Sequence, residues 1–412
     1  MRPLRFCMLT TFFPPQNFGG DGIFIHRLVN ELGKLGHSVD VVHDVDAYRL
    51  LGGREEKPVE LHSNVRTHPI SSRFGALSSL VTQQLGGPGF KRAAIARILE
   101  KDYDVVHFHN VSLLGGPRLL KMGRGVKLYT THEHWLVCPT HVLFKYNREA
   151  CFEKDCLKCV LVHKRPPQVW RYTGLIPRML KHVDGFISPS AFTMRRHAEL
   201  NLDMRVIPYF LPELDPAPPE RSAKAREILA EEKGPFFFFV GRLEKLKGLQ
   251  TILPLFAKNP RFRLLVAGDG AMAAELRAQA SGTPNVRFLG NLDRHNLTPI
   301  YAAAQAVVVP SICHEVLGQI IIEGFSVKTP SIVCDLGAPP DIIAESGGGF
   351  VYRSDDDFVG AMARITDEPG LKTELGNRGH DYYREHFTRD AHMRKYLGLV
   401  SEVAARKGLD LG

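Results

Sequence analysis

The 412-residue sequence has no apolar run long enough to span a bilayer. Its beginning, MRPLRFCMLTTFFPP, holds only the short apolar run FCMLTTFF, and no small-residue cleavage site follows. A first β-strand is therefore a better interpretation of this segment than a signal peptide. We expect a cytoplasmic protein, in which the seven cysteines are free thiols or metal ligands and not disulfides.

Concentrated basic runs interleaved with aromatic residues are also missing, although the net charge is +9. This absence argues against a nucleic-acid-binding protein. The dispersed positive charge suits anionic ligands such as phosphates, or an acidic membrane surface. The stretch KRPPQVWRYTGLIPRMLKH mixes cations with apolar residues and could lie on such a membrane, on the inner face of which the protein would be peripheral. The alternative is an ordinary amphipathic helix packed on the core.

No internal repeat or low-complexity tract interrupts a regular alternation of β-rich and helical patterns. In the first half the predicted strands are LRFCMLTTFF, HSVDVVH, DVVHFH, VKLYTTH, DGFISPS and MRVIPYF. The alternation restarts with FFFFVGRL, FRLLVAG, NVRFLG, AVVVPS, PSIVCD and GGFVY, and the end is all-helical. This pattern predicts an α/β protein with two doubly wound, Rossmann-like domains facing a cleft. We predict domains over residues 1–208 and 234–387, with a linker over 209–233 that opens rich in proline.

Two acids bracket the apolar run in CHEVLGQIIIEGF. Glu315 follows a predicted strand and Glu323 lies in the next predicted helix, so both could face one ligand. A carboxylate accepts two hydrogen bonds side by side, which matches a vicinal diol of a sugar. The free N–H groups of Leu317 and Gly318, at the start of that helix, would favour a phosphate or a sugar oxygen. The alternative for either glutamate alone is a solvated side chain.

The segment VGRLEKLKG follows the strongest predicted strand, PFFFFV. Arg242 and Lys247 in this loop could neutralise a diphosphate, the arginine in forked geometry and the lysine as a point charge. Gly248 would allow the backbone to approach the ligand closely. Ordinary surface charges are the alternative.

Two glycine-rich turns follow other predicted strands. Gly19 and Gly20 open a helix after the first strand, where the backbone could approach a phosphate. In LLVAGDGAMAAE the glycines fit a dinucleotide fingerprint, but the next strand ends in Asn291 where an acidic residue should hold the ribose. We therefore interpret this second turn as a tight strand–helix connection, near a nucleobase at most.

Two histidines, His109 and His132, end predicted strands of the first domain and are expected to point toward the cleft. A simply hydrogen-bonded histidine is the alternative at each site.

Four cysteines within 22 residues, Cys138, Cys151, Cys156 and Cys159, have the spacing of a structural zinc site in a cysteine-rich loop over 138–159. Unrelated thiols or a redox pair are the alternatives.

Together, GRLEKLKG, the two glutamates eight residues apart, GAPPDIIAESGGGFVY and the opening PPQNFGG…HRLVNELGKLGHSVDVV resemble the retaining glycosyltransferases of family 4. The resemblance covers nearly the whole chain and implies the GT-B fold, with a last helix, within 388–412, that crosses back to the first domain. It implies that Glu315, with backbone N–H groups near Leu317 and Gly318, holds donor-sugar hydroxyls, and that Glu323 holds the ribose diol.

By the same resemblance Arg242 and Lys247 would bind the diphosphate, Gly19 and Gly20 would approach it, and His132 would lie near the donor sugar. The sequence HEVLG departs from the E-G-F-G of many members, and its Val316 and Leu317 would narrow the sugar pocket.

The reaction implied is transfer of a glycosyl group from a nucleotide diphosphate sugar to an acceptor hydroxyl, in glycan, glycolipid or exopolysaccharide synthesis, with retained anomeric configuration and no catalytic divalent metal. A sugar-nucleotide epimerase, a phosphorylase, a nicotinamide-dependent oxidoreductase and a zinc-stabilised binding module are the rival hypotheses.

Overall fold

A computed structural model of the protein describes residues 2–53, 59–211 and 219–411. They divide into two units. Unit 1 comprises Met1–Val142, Glu153–Ile207 and Met393–Gly412, and unit 2 comprises Leu143–Phe152 and Pro208–His392. Residues 212–218 of the predicted linker lie outside the described residues.

The strands are short and mostly buried, as expected where helices cover both faces of a parallel sheet. Their bounds are β1 Arg5–Leu9, β2 Ser38–Asp44, β3 Val65–Ile70, β4 Val105–Phe108, β5 Val126–Thr130, β6 Phe144–Lys145, β7 Glu149–Ala150, β8 Gly185–Ser188, β9 Met204–Val206, β10 Phe236–Val240, β11 Arg263–Ala267, β12 Val286–Gly290, β13 Val307–Val309, β14 Ser331–Cys334 and β15 Gly349–Tyr352.

The helices separate these strands along most of the chain. Their bounds are α1 Gly20–Lys34, α2 Val45–Leu50, α3 Ala76–Leu85, α4 Arg92–Leu99, α5 Cys156–Val162, α6 Leu175–Leu180, α7 Ala191–Arg196, α8 Ala223–Glu231, α9 Leu249–Lys258, α10 Ala273–Gln279, α11 Arg294–Ala303, α12 Gln319–Ser326, α13 Pro339–Ser346, α14 Asp355–Asp367, α15 Leu371–His386 and α16 Arg389–Arg406. Within the described residues, none of them combines the length and the apolar character that a bilayer crossing needs.

Each unit is built on one parallel sheet. The strand order is β3-β2-β1-β4-β5-β8-β9 in unit 1 and β12-β11-β10-β13-β14-β15 in unit 2. The winding direction reverses between β1 and β4 in the first sheet and between β10 and β13 in the second. In open α/β sheets ligands bind outside the carboxyl ends of the strands at this reversal, so the loops after these four strands are the places to look for a site.

The C-terminal part of α16 packs into unit 1. The ring of Tyr396 stacks on Phe6 of β1 at 6.3 Å between centroids, and its hydroxyl lies 3.0 Å from Nδ1 of His107. Val403 and Leu399 lie close to Gly185 of β8. The last helix therefore shares the core of the unit that begins the chain.

Candidate active site

The loops after β10 and β13 lie against each other because a glycine removes the obstacle between them. Gly248 has a φ of +71°, and a Cβ there would lie 1.8 Å from the carbonyl oxygen of Pro310. Only glycine accepts both the left-handed backbone and this contact. The N–H of Ile312 also donates to the carbonyl oxygen of Leu246 at 3.0 Å. This close approach positions the side chains of both loops at the reversal point of the sheet.

Lys247 and Glu315 form an ion pair across these two loops. The Lys247 Nζ lies 2.6 Å from Oε1 of Glu315, which also accepts a 2.7 Å hydrogen bond from the Ser311 hydroxyl. Burial raises the pKa of the Glu315 carboxyl, but the charge and hydrogen bond of Lys247, helped by Ser311, outweigh it and leave that pKa below its ordinary value. Burial lowers the pKa of Lys247, and Glu315 more than offsets this effect. Both groups are therefore charged at neutral pH.

Arg242 adds a second cation to the same place. Its side chain is exposed and forms an ion pair with Glu244 at 2.7 Å. Its positive charge nevertheless contributes to the low pKa of Glu315, so it lies within electrostatic range of the ion pair. The exposed guanidinium keeps donors that a bound anion can use.

Glu323 lies on α12, whose N-cap is Gly318 with a φ of +86°. It accepts a 2.7 Å hydrogen bond from the Tyr301 hydroxyl. Burial, and next the charge of Glu323, raise the pKa of Tyr301 well above the ordinary value. Arg294 lies within electrostatic range of the same carboxylate.

Helix α12 begins at Gln319. The buried Leu317 therefore precedes the helix, and of the two predicted N–H donors only Gly318, the N-cap, marks its start.

A pocket opens at the carboxyl ends of β10, β11 and β12, beside Arg242. Its volume of about 190 Å³ is below the ~300–1,000 Å³ of pockets that hold a whole ligand, so it suits one part of a larger molecule. It is lined by Val240, Gly241, Arg242, Ala267, Gly268, Asp269, Asn291, Leu292 and Leu297.

Two glycines of the fingerprint-like turn, Gly268 and Gly270, allow the backbone turns at this pocket to lie in contact. A Cβ on Gly268, which has a φ of +130°, would lie 1.9 Å from the carbonyl oxygen of Gly241, and one on Gly270 would lie 2.6 Å from that of Leu243. They are therefore needed where two backbone turns touch, as expected for a tight strand–helix connection.

In unit 1, the loop after β1 leads into α1. Gly19 is the N-cap of this helix in an extended conformation, and Gly20 is its exposed first residue. Asp21 follows in the first turn, 3.4 Å from the Asn110 side-chain amide. Burial, and next the charge of Glu133, raise the pKa of Asp21. The helix N-terminus thus carries its own carboxylate, which sequence reasoning had passed over.

The two predicted histidines meet in unit 1. Nδ1 of His109 and Nε2 of His132 lie 2.8 Å apart, and both rings are buried. Burial lowers the pKa of His132 to about 3 and, together with the neighbouring His107 and His132, lowers that of His109 well below its usual range. Both imidazoles are therefore neutral at physiological pH and serve as hydrogen-bonding groups.

Sequence profiles of known families match both units. The profile described as "Glycosyltransferase Family 4" matches residues 18–211, and the one described as "Glycosyl transferases group 1" matches residues 220–382. The chain belongs to the family 4 glycosyltransferases. This confirms the family resemblance and the glycosyltransferase activity predicted from the sequence.

Relatives differ in how much of their length is matched. This glycosyltransferase is 26% identical to a D-inositol 3-phosphate glycosyltransferase of Corynebacterium kroppenstedtii, over 95% of its own chain and 86% of the relative. It is 30% identical to the D-rhamnosyltransferase WbpZ of Pseudomonas aeruginosa, over 53% of its own chain and 59% of that protein's length.

Solved structures share the fold. Sucrose-phosphate synthase from Thermosynechococcus elongatus superposes with a TM-score of 0.74 at 20% identity, over 98% of this chain and 100% of that one. Anabaena HepE, solved in complex with UDP-glucose, superposes with a TM-score of 0.66 at 15% identity, over 97% and 100%. The fold of this glycosyltransferase is thus GT-B, as predicted.

The predicted zinc site is not confirmed. Cys151 belongs to unit 2, whereas Cys138, Cys156 and Cys159 belong to unit 1. Across residues 2–53, 59–211 and 219–411 no three His, Cys, Asp or Glu side chains are grouped so that they could hold a metal ion. Cys138 and Cys159 nevertheless lie within electrostatic range of Cys156.

The segment Leu143–Phe152, which belongs to unit 2, forms a hairpin beside the loop that carries Glu315. The hairpin consists of β6 and β7, paired antiparallel. Nε2 of His314 donates to the Cys151 carbonyl oxygen at 3.2 Å, and the Phe152 ring meets the His314 ring edge-on at 5.2 Å. The Lys245 ammonium donates to the Asn147 carbonyl oxygen at 2.9 Å. The segment expected to bind zinc therefore supports both loops of the candidate site.

Proposed function

We propose that the protein is a retaining glycosyltransferase that moves a sugar from a nucleotide diphosphate sugar to an acceptor hydroxyl, in glycan, glycolipid or exopolysaccharide synthesis. The observation that carries the proposal is the meeting of Lys247, Glu315 and Arg242 at the reversal point of the unit 2 sheet. Two cations and an ionised carboxylate at one place match a ligand that is anionic at one end and rich in hydroxyls at the other. An activated sugar has both properties.

The neighbouring features suit successive parts of such a donor. The pocket beside Arg242 is large enough for one part of the molecule and would take the nucleobase. Glu323, held by Tyr301, would accept the ribose hydroxyls. Lys247 and Arg242 would bind the diphosphate, and Glu315 with the N–H groups of Leu317 and Gly318 would take the transferred sugar. The complex of the structurally similar HepE with UDP-glucose supports testing uridine donors first.

The chemistry that follows is mainly electrostatic. As the bond between the anomeric carbon and the phosphate oxygen breaks, negative charge grows on the diphosphate and the sugar becomes cation-like. Cations already in place lower this barrier because they need not reorganise, and they make a divalent metal unnecessary. Neither carboxylate of the unit 2 site suits a nucleophile, because Glu315 is held by Lys247 and Ser311 and Glu323 by Tyr301. The acceptor oxygen would then attack the anomeric carbon from the face on which the diphosphate departs, and an oxygen of that diphosphate would take the acceptor's hydroxyl proton. Attack on this face keeps the anomeric configuration.

The residues that the family resemblance implicates in unit 1 would take part in binding as well. Gly19 and Gly20 would approach the diphosphate, and neutral His132 would hydrogen-bond the donor sugar. Asp21 and Glu133 lie within electrostatic range of each other, and these two carboxylates would accept hydrogen bonds from acceptor hydroxyls. An acceptor on a lipid carrier would bring the enzyme to a membrane surface.

The stereochemistry of the product tests the proposal. A panel of UDP-, GDP- and ADP-sugars is screened for release of the nucleoside diphosphate, and the anomeric proton coupling of the transferred sugar is measured by NMR for a productive donor. We expect an α-linked donor to give an α-linked product. A β-linked product would contradict the retaining mechanism, and no turnover of any donor with simple glycosides or lipid-linked sugars would contradict the transferase assignment.

A further inference from the structure

Helix α3 presents the reverse of the usual surface-helix pattern. Its buried face carries the hydroxyl residues Ser78, Ser79 and Thr82. Its leucines at positions 77, 80 and 85 are 52%, 40% and 61% exposed. At 100° per residue these three leucines fall within one arc of about 140°. A helix on a soluble surface normally buries its apolar arc, so this arrangement requires an explanation.

The explanation lies beneath the helix. Lys91 and Asp44 form an ion pair in which both side chains are fully buried, and the Ser79 hydroxyl lies 3.3 Å from the Lys91 ammonium. A buried ion pair needs further polar partners around it. Ser79 therefore faces inward toward this ion pair, and the leucines lie on the outer side of the helix.

Aromatic side chains extend the leucine face on both sides. The rings of Phe74 and Phe90 contact each other with centroids 4.2 Å apart and planes tilted by 32°, and each is exposed. Beyond the end of α3, the Trp170 indole N–H donates to the Gln83 carbonyl oxygen at 2.8 Å, which brings the helical turn Val169–Tyr172 alongside with Tyr172 63% exposed. We call the resulting patch the apolar surface; it consists of Phe74, Leu77, Leu80, Leu85, Phe90 and Tyr172.

The two sequence segments that carry this surface contain cations but no acidic residue. Residues 61–99, which contain α3 and Phe90, include no aspartate or glutamate and, besides the buried Lys91, four cations: Arg66, Arg73, Arg92 and Arg97. Residues 156–183, which contain Tyr172, include six cations and again no acid: Lys158, Lys164, Arg165, Arg171, Arg178 and Lys181. Arg73 is exposed with its guanidinium 4.8 Å from the Phe74 ring centroid, and Arg92 is exposed two residues from Phe90.

We propose that the apolar surface docks unit 1 on an anionic lipid bilayer, with its leucine and aromatic side chains in the headgroup boundary and Arg73 and Arg92 against lipid phosphates. Apolar burial and electrostatic attraction act together in such binding, and neither alone suffices at physiological salt. The exposed cations Arg73 and Arg92 beside the apolar side chains favour this occupant over an acid-lined or neutral protein groove. None of the six residues belongs to the candidate sugar site, so this proposal can fail without affecting the proposed function.

Vesicle co-sedimentation tests the proposal with the full chain. We expect the protein to bind phosphatidylglycerol-containing vesicles and to bind pure phosphatidylcholine vesicles at least roughly tenfold more weakly. The double substitution Leu80→Ser/Leu85→Ser should weaken binding to the anionic vesicles by roughly tenfold or more. Arg73→Gln/Arg92→Gln should weaken it by a comparable factor and should make it less sensitive to added salt.

The matched control is Leu35→Ser/Leu409→Ser, which removes two leucines that are 54% and 39% exposed in the same unit but outside the apolar surface. It should bind like the wild type. In an assay without vesicles, all variants should release nucleoside diphosphate from the nucleotide sugar at the wild-type rate. Equal binding of the wild type and Leu80→Ser/Leu85→Ser would overturn the proposal. So would sedimentation velocity that shows a wild-type dimer which this variant converts to a monomer, because the surface would then join two copies of the chain.

Discussion

Replacement of Lys247 by alanine is expected to lower kcat by roughly 10²–10³-fold, the usual cost of removing one preorganised charge-stabilising donor. Lys247 is the cation held in place by Glu315 at 2.6 Å, so it needs no reorganisation when charge develops on the diphosphate. Because its charge matters more as the transition state forms, kcat should fall more than KM rises. The measurement is initial-rate kinetics with the best donor, with thermal unfolding to confirm that the variant is folded.

The chain supplies a control two residues away. Lys245 lies in the same loop but donates to the Asn147 carbonyl oxygen and not to Glu315. Lys245→Ala should keep kcat within about threefold of the wild type, since it leaves the Lys247–Glu315 pair intact. Similar losses in the two variants would mean that the loop has a general structural role and that Lys247 has no special part in transfer.

The substitution Glu315→Gln should also cost roughly 10²-fold in kcat/KM, about 2–3 kcal/mol, which is typical when one member of a buried charge pair is neutralised. The amide keeps the volume of the carboxylate but accepts hydrogen bonds from a single oxygen. It therefore cannot hold Lys247 and Ser311 and also receive the donor-sugar hydroxyls as the carboxylate does. The comparison of donors that lack one hydroxyl at a time identifies the sugar positions that Glu315 contacts.

Glu244→Gln is the matched control for this substitution. Glu244 is a partly exposed acid that pairs with Arg242 at 2.7 Å in the loop after β10. Its neutralisation should leave kcat/KM within a few-fold of the wild type because the pair is solvent-screened. If Glu315→Gln were as active as Glu244→Gln, Glu315 would be a structural acid of the loop.

Much of the fold could be predicted because buried parallel strands have strong local patterns. The run FFFFV is apolar throughout and forms β10, and VVV forms β13 beside it. Strand β3 was not predicted, since it is an edge strand with Pro69 inside it and several half-exposed residues. Helix α3 was missed for a related reason, since its exposed leucines and buried serines depend on the Lys91–Asp44 pair below.

The candidate site could be predicted only as far as chain order allows. Arg242, Lys247 and Glu315 directly follow strands that are neighbours in a doubly wound sheet, so topology alone predicts that Lys247 and Glu315 come close. Tyr301 and Asp21 were not predicted as site residues, because no motif of the sequence pairs them with their partners Glu323 and Asn110, which are 22 and 89 residues away. The zinc site stays a prediction from cysteine spacing, since the described residues show no group of ligands that could hold a metal ion.

The most direct test of the account is the affinity of the protein for a nucleoside, its monophosphate and its diphosphate, measured by calorimetry for the wild type, Lys247→Ala and Glu323→Ala. We expect the diphosphate to bind the wild type at least roughly tenfold more tightly than the monophosphate, because the terminal phosphate reaches Lys247 and Arg242. Lys247→Ala should lose most of this preference, whereas Glu323→Ala should weaken all three ligands equally and keep it. Equal wild-type affinity for monophosphate and diphosphate, or an unchanged preference in Lys247→Ala, would contradict the assignment of the unit 2 loops as the diphosphate site.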